Sequence, residues 1–302
     1  MSNSANTENA PPPQIWGRSI GTAEISVETL LANESAFREA RVAVFGAPFD
    51  GTQSYRAGSR FAPKAVRNEF FCLESYSPYQ NRDMKDVKVI DLGDLELPFG
   101  NAAAAVAIIE EFADAVVEAG KTPVMIGGEH LTTLGTVRAL LKKYSDMSVI
   151  QFDAHADMRD EYLGEKLSHA TVMRRIWELT GDGRIYQFGV RSGERREIEF
   201  SEARAIVGKF GFKGLPAAVA ALRGAPVYLS VDLDVLDPSV FPGAGSPEPG
   251  GATFNELLSA ILELAPLNIV GCDITELTPA YDPGGISTAA ACKILRELIL
   301  LV

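Results

Sequence analysis

From residue 41 onward, short apolar runs alternate with amphipathic stretches. The runs Arg41–Phe45, Lys88–Leu92, Pro123–Ile126, Ser148–Phe152, Arg184–Val190, Val227–Val231 and Asn268–Ile274 are four to seven residues long. Most are continuously apolar rather than alternating, which is the pattern of strands covered on both faces. Helices are predicted between them. The clearest is Ala102–Ala119: Asn101 suits the N-cap, Ile109, Phe112 and Val116 form a stripe at helical spacing, and Gly120 suits the stop. Leu131–Tyr144, Thr253–Leu264 and Thr288–Leu301 are similar. Strand–helix alternation over roughly 260 residues predicts one α/β domain of three layers around a mainly parallel sheet. The domain is expected over residues 41–302. Residues 1–40 read as an N-terminal arm and lead-in, stiffened at Pro11–Pro13, with Trp16 as an anchor.

The polar residues that interrupt this pattern collect where the apolar runs end. The chain has three histidines, and two of them close apolar runs, in VMIGGEH (124–130) and SVIQFDAHAD (148–157). A third run, VYLSVDLDVLD (227–237), ends in alternating aspartates, and Glu276 closes IVGCDITE (269–276). Ligands of open parallel sheets gather beyond the carboxyl ends of the strands. Asp153, His155 and Asp157, like Asp232 and Asp234, are spaced by two, so each set lies on one side of an extended backbone. Such a cluster is too costly to bury without cations. Together with His130 it offers four aspartates and two histidines, enough for two divalent ions sharing carboxylates. The set lacks cysteine and is dominated by oxygen, which suits Mn²⁺ or Mg²⁺, and the two imidazoles favour Mn²⁺. Two ions held ~3.5 Å apart lower the pKa of a shared water toward neutrality. His169, in EKLSHAT (165–171), is a candidate general acid, since its ordinary pKa of ~6.5 suits proton delivery near neutral pH.

Composition narrows the alternatives. Apolar residues make up 46% of 302, ample for a core, and the net charge of −12 argues against a nucleic-acid partner. No run approaches the ~18 apolar residues of a membrane span. The N-terminus has neither the basic nor the apolar region of a signal peptide. Cys72, Cys272 and Cys292 read as reduced core residues of a cytoplasmic protein. Gly127-Gly128 and Gly284-Gly285 form neither a dinucleotide fingerprint nor a phosphate loop. They read as sharp turns beside a crowded polar site.

Five ordered motifs resemble the ureohydrolases, the family of arginases and agmatinases: GGEH (127–130), DAHAD (153–157), SVDLDVLDP (230–238), GAGSPEPGG (243–251) and DITELTP (273–279). The segment GAPFDGTQSYRAGSRFAPKAVR (46–67) adds a sixth match, so the resemblance covers about residues 40–302. It implies a three-layer α/β/α fold with an eight-stranded sheet and two Mn²⁺ per subunit. One ion would be held by His130, Asp153, Asp157 and Asp232, and the other by Asp153, His155, Asp232 and Asp234. Glu276 matches the carboxylate that grips a guanidinium, and His169 matches the proton-shuttling histidine. The second aspartate pair and Glu276 argue against a single-zinc deacylase on the same fold. Filled ligand positions argue against a silent binding protein.

The PEPGG motif and the 46–63 segment are most similar to agmatinases. The resemblance therefore implies hydrolysis of agmatine to putrescine and urea by a metal-bridging hydroxide, in polyamine biosynthesis. 4-Guanidinobutyrate and arginine are the alternative substrates. Two departures, Glu129 and Leu131 beside His130 and LSHAT (167–171), bear on substrate rather than metal. In the loop 158–168, Asp160, Glu161 and Glu165 suit the distal ammonium of a small cationic substrate, whereas Arg159 and Lys166 would suit a carboxylate. The family further implies a homo-oligomer, a trimer or hexamer.

Overall fold

The computed structural model describes residues 37–302. The expectations for Pro11–Pro13 and Trp16 lie outside the described residues. In chain order the first elements are β1 (Val42–Ala47), α1 (Ala62–Phe70), the two-residue strands β2 (Tyr76–Ser77) and β3 (Arg82–Asp83), β4 (Val89–Asp94) and α2 (Ala102–Glu118). Next come β5 (Thr122–Gly127), α3 (Thr133–Lys143), β6 (Ser148–Phe152), α4 (Val172–Thr180), β7 (Ile185–Val190) and α5 (Arg195–Arg204). The chain closes with β8 (Ile206–Lys209), α6 (Leu215–Leu222), β9 (Pro226–Asp232), α7 (Phe254–Glu263), β10 (Asn268–Thr275) and α8 (Ile286–Leu301).

Every apolar run identified in the sequence is a strand of one eight-stranded sheet, in the order β4-β1-β5-β10-β9-β6-β7-β8. All pairings in it are parallel. Helices cover both faces, so adjacent residues of one strand enter opposite cores. Val42 and Val44 join α1, α6, α7 and α8, while Ala43 and Phe45 pack toward α2 and α3. Tyr228 of β9 likewise enters the layer of α3 and α4, between Val227 and Leu229 of the other layer. Burial on both faces is why these strands lack a period of two.

Local signals hold where they were expected. The Asn101 side chain accepts the Ala104 N–H at 3.0 Å, and Gly120, at φ 74°, ends α2. Thr253 and Glu256 form a capping box at α7: the Thr253 N–H reaches Glu256 Oε2 at 2.8 Å, and the Glu256 N–H reaches Thr253 Oγ1 at 3.3 Å. The chain also contains a Gly120-Lys121-Thr122 triplet, but it joins a helix to a strand, the reverse of a phosphate loop, and Lys121 Nζ bonds the Ala40 carbonyl at 2.8 Å.

One expectation needs correction. Cys272 and Cys292 are buried free thiols as predicted, but Cys72 is exposed, because α1 ends at Phe70 and releases the chain to the surface. Among the described residues no helix is long and apolar enough to cross a membrane.

The sheet order places the site. β1, β4 and β5 form one flank, β6 to β9 form the other, and β10 pairs with β5 on one side and β9 on the other. Four adjacent central strands, β5-β10-β9-β6, therefore end side by side, and each carries a polar residue singled out above.

Candidate metal centre and active site

His130 begins a short 3-10 turn just past β5, and Asp153 follows β6 directly. Asp232 is the last residue of β9, with Asp234 in the turn behind it. His130 Nδ1 faces three carboxylate oxygens, Asp157 Oδ2 at 2.9 Å, Asp153 Oδ2 at 3.0 Å and Asp232 Oδ2 at 3.3 Å. His155 Nδ1 lies 3.0 Å from Asp234 Oδ2 and 3.5 Å from Asp153 Oδ1. The six predicted ligands thus converge on two adjoining groups, one around His130, Asp153 and Asp157, the other around Asp153, His155 and Asp234. Asp153 belongs to both, one oxygen toward each histidine. Asp232 stands at the first group. Its other oxygen accepts the Asp234 N–H at 2.9 Å and does not complete the second group.

The centre is built to hold positive charge. His130 Nδ1 is buried and makes no hydrogen bond of proper geometry despite its three carboxylate neighbours. Burial pushes Asp157 up to about 7, with the Asp153 charge adding to it. Asp232 is driven well above the usual range by burial and then by Asp234 and Asp153. Burial works against a charge on His130 and His155, yet their carboxylate neighbours raise both well above the ordinary value. Asp153 also suffers burial, but the imidazoles of His130 and His155, at 3.0 and 3.5 Å, hold it below the usual range. Protons are being retained where carboxylates crowd, and divalent cations would replace them. The donor set fits such ions.

Two site carboxylates occupy the left-handed region of the backbone, Asp157 at φ 53° and Glu276 at φ 65°. Side chains rarely adopt it, and the strain is sustained by the packing around them. Gly128 is the crossing point. Its neighbour Glu129 donates its N–H to the Phe49 carbonyl at 2.7 Å, and the Gly128 carbonyl accepts the Glu276 N–H at 2.9 Å. A Cβ at Gly128 would collide with the Phe49 carbonyl oxygen.

Glu276 stands beside the metal groups. Its Oε1 accepts the His130 N–H at 2.8 Å, and its Oε2 accepts Gln53 Nε2 at 2.6 Å. Burial, reinforced by the charge of Glu129, pushes it up to about 8. His169 lies at the start of another 3-10 turn, and burial with the nearby His155 lowers it to about 4. A cavity of about 310 Å³ is lined by His130, His155, Asp232, Asp234, His169 and Glu276, with Arg159, Tyr162, Glu194 and Glu197 farther out.

The arginase family profile matches residues 40–301. The chain belongs to the arginase family. The agmatinases of Bacillus anthracis and of Bacillus subtilis strain 168 are each 42% identical to it over 279 residues, spanning 91% of this chain and 96% of theirs. The crystal structure of agmatine ureohydrolase of Thermoplasma volcanium is similar with a TM-score of 0.83 at 36% identity, covering 91% of this chain and 94% of that one.

In this arginase-family site the outer wall differs from what the 158–168 loop suggested. Of its charged residues only Arg159 lines the cavity. Asp160 turns outward, 3.1 Å from Arg175 and 3.8 Å from Arg174. Glu161, Glu165 and Lys166 are exposed and away from the cavity, because the loop arches over the surface. The carboxylates at the mouth come instead from the β7–α5 junction. Glu197 is nearly buried and accepts the Arg159 Nε–H at 3.1 Å and the Met158 N–H at 3.1 Å. Glu194 lies 3.2 Å from the Arg159 Nη1, with its side chain 65% exposed. One guanidinium thus faces two carboxylates, which leaves a net negative charge at the rim. Sequence reasoning missed Glu194 and Glu197, and it missed Thr52, Gln53 and Ser54, which reach the site from the loop after β1.

Proposed function

We propose that this chain hydrolyses agmatine to putrescine and urea with two Mn²⁺ ions per subunit. Membership of the arginase family makes it a hydrolase of guanidino carbon–nitrogen bonds, and the agmatinase names of its relatives favour agmatine. The observation that carries the reading is Glu276, a buried carboxylate fixed by two donors beside a double carboxylate–imidazole centre.

In this proposal His130, Asp153, Asp157 and Asp232 hold one ion, and Asp153, His155, Asp232 and Asp234 hold the other. Bound there, the ions supply Lewis acidity and bring the pKa of a coordinated water toward neutrality. The chain's own residues do the rest. Glu276 accepts paired N–H groups of the substrate guanidinium and fixes its plane over the centre. The guanidinium's charge takes the place of the proton that burial favours on Glu276. His169 delivers a proton to the departing amine, which is a poor leaving group when neutral. At the rim Glu194 meets the distal ammonium, while Glu197 keeps Arg159 from dominating the mouth. We further read the enzyme as a cytoplasmic homo-oligomer, a trimer or hexamer.

The test is urea release by Mn²⁺-loaded protein from agmatine, 4-guanidinobutyrate and arginine measured in parallel. A strong preference for agmatine supports the proposal. Preference for either acid would overturn the reading of the rim and point to Arg159 as a carboxylate clamp.

A further inference from the structure

Glu129 is wholly buried, and among the described residues no Lys, Arg or His forms an ion pair with it. Its carboxylate is instead held by Thr52 across the site. Oε2 accepts the Thr52 N–H at 2.8 Å, and Oε1 accepts the Thr52 hydroxyl at 2.6 Å. A hydroxyl has one proton to give and two lone pairs with which to accept. With Glu129 ionised and the hydroxyl proton committed to it, the Thr52 oxygen can only accept. It does so from the His169 backbone N–H at 3.0 Å, and it faces His169 Nδ1 at 3.4 Å.

The opposite edge of the ring has the complementary polarity. His169 Nε2 lies 3.5 Å from the Ser54 hydroxyl, and that oxygen accepts the Tyr162 O–H at 3.2 Å. Ser54 therefore keeps its own proton free to donate toward Nε2. The Tyr162 ring stands edge-on to the imidazole, 5.6 Å between centroids. One direction of donation runs from Tyr162 through Ser54, His169 and Thr52 to Glu129.

We propose that Glu129 is a positioning residue for His169: acting through the Thr52 hydroxyl, it fixes the ring as the Nδ1–H tautomer and leaves Nε2 as the accepting nitrogen, facing the Ser54 hydroxyl at the cavity wall. The tautomer of a histidine is set by the partner of its other nitrogen. A proton carrier in this site must present Nε2, because Nδ1 is sealed behind Thr52. The effect on turnover rests on the proposed role of His169, whereas the tautomer does not.

The test uses Glu129→Gln, Thr52→Val and the conservative Thr52→Ser. With only three histidines in the chain, long-range ¹H–¹⁵N spectra of protein loaded with diamagnetic Mg²⁺ resolve each ring, and His169→Asn identifies the one in question. The expected result is an Nδ1–H tautomer for His169, lost or mixed in Glu129→Gln and Thr52→Val and restored in Thr52→Ser. With Mn²⁺ and agmatine, kcat should fall about 10- to 100-fold in the first two variants, with KM within about twofold and metal content unchanged. An Nε2–H tautomer in the unmodified protein would overturn the proposal, as would variant spectra identical to it. Altered spectra with unaltered kcat would support the positioning by Glu129 and remove His169 from the reaction.

Discussion

The inner and outer halves of the cavity are built on different principles. The inner half is made by strand ends: His130, Asp153, Asp232 and Glu276 come from four neighbouring strands, and the sheet fixes their spacing. The outer half is made by loops and a helix start: Arg159, Tyr162, Glu194 and the Thr52–Ser54 segment meet through pairwise contacts alone. On the proposed reading, rigid scaffold holds the part whose chemistry tolerates no displacement, and adjustable segments hold the part that selects substrate.

This contrast yields a graded set of expectations. The largest effect belongs to Asp153, which faces both histidines. Asp153→Ala should empty both ion positions and lower activity on the order of 10³-fold or more, with metal content by elemental analysis as the check. Retention of two ions would break the idea of a shared ligand. Glu276→Gln comes next, with a loss of about 10²–10³-fold at full metal content. If metal disappears together with activity, Glu276 supports the centre and does not grip substrate.

Stability supplies a third comparison. In metal-free protein the carboxyls of Asp157, Glu129 and Glu276 are raised to about 7, 7 and 8. His130 and His155 are raised as well. The folded state then binds more protons than the unfolded chain, so both kinds of group make stability fall as pH rises between about 6.5 and 8. The melting temperature of metal-free protein should drop across that window, and the increment from Mn²⁺ should widen. A flat or rising curve without metal would contradict the crowding of charge described above.

The rim should respond least. Glu194 is largely exposed, and such a charge contributes no more than about 1 kcal/mol. Glu194→Gln should raise KM for agmatine about three- to fivefold and leave kcat alone. Asp160→Asn, whose carboxylate faces Arg174 and Arg175 on the surface, should stay within about 1.5-fold of the parent in kcat/KM. An equal or larger effect at Asp160 would restore the 158–168 loop as the ammonium site.

The same division separates what the chain makes legible from what it conceals. Seven of the eight sheet strands show as apolar runs, most of them unbroken, because both faces are covered, and ligands at their ends inherit a spacing of two. The eighth, Ile206–Lys209, lies at the sheet edge with Ile206 and Lys209 exposed, and it carries no such signal. Helix α5 is concealed too, since only Glu197 and Ser201 of its ten residues are buried. Helix α6, LPAAVAAL, is too short and too uniformly apolar to show a period. Glu194 and Glu197 look like ordinary solvated charges at a helix start until β7 delivers them to the cavity. Thr52 and Glu129 are 77 residues apart, and the β1–β5 pairing that sets Ala47 opposite Gly127, with the Gly128 crossing at Phe49, brings their loops together.

The position of β10 has a consequence for how the molecule is made. Every strand of one flank, residues 42–127, and every strand of the other, residues 148–232, leaves the ribosome before β10 at 268–275. Until it arrives, β5 and β9 are open edges, each a row of unpaired backbone groups facing where the other should be. The last strand inserts between them, joins the two flanks and in the same step delivers Glu276 to the centre. A chain that stops short of residue 268 thus keeps two sticky edges and lacks Glu276, so closing the sheet and placing Glu276 at the centre are one event.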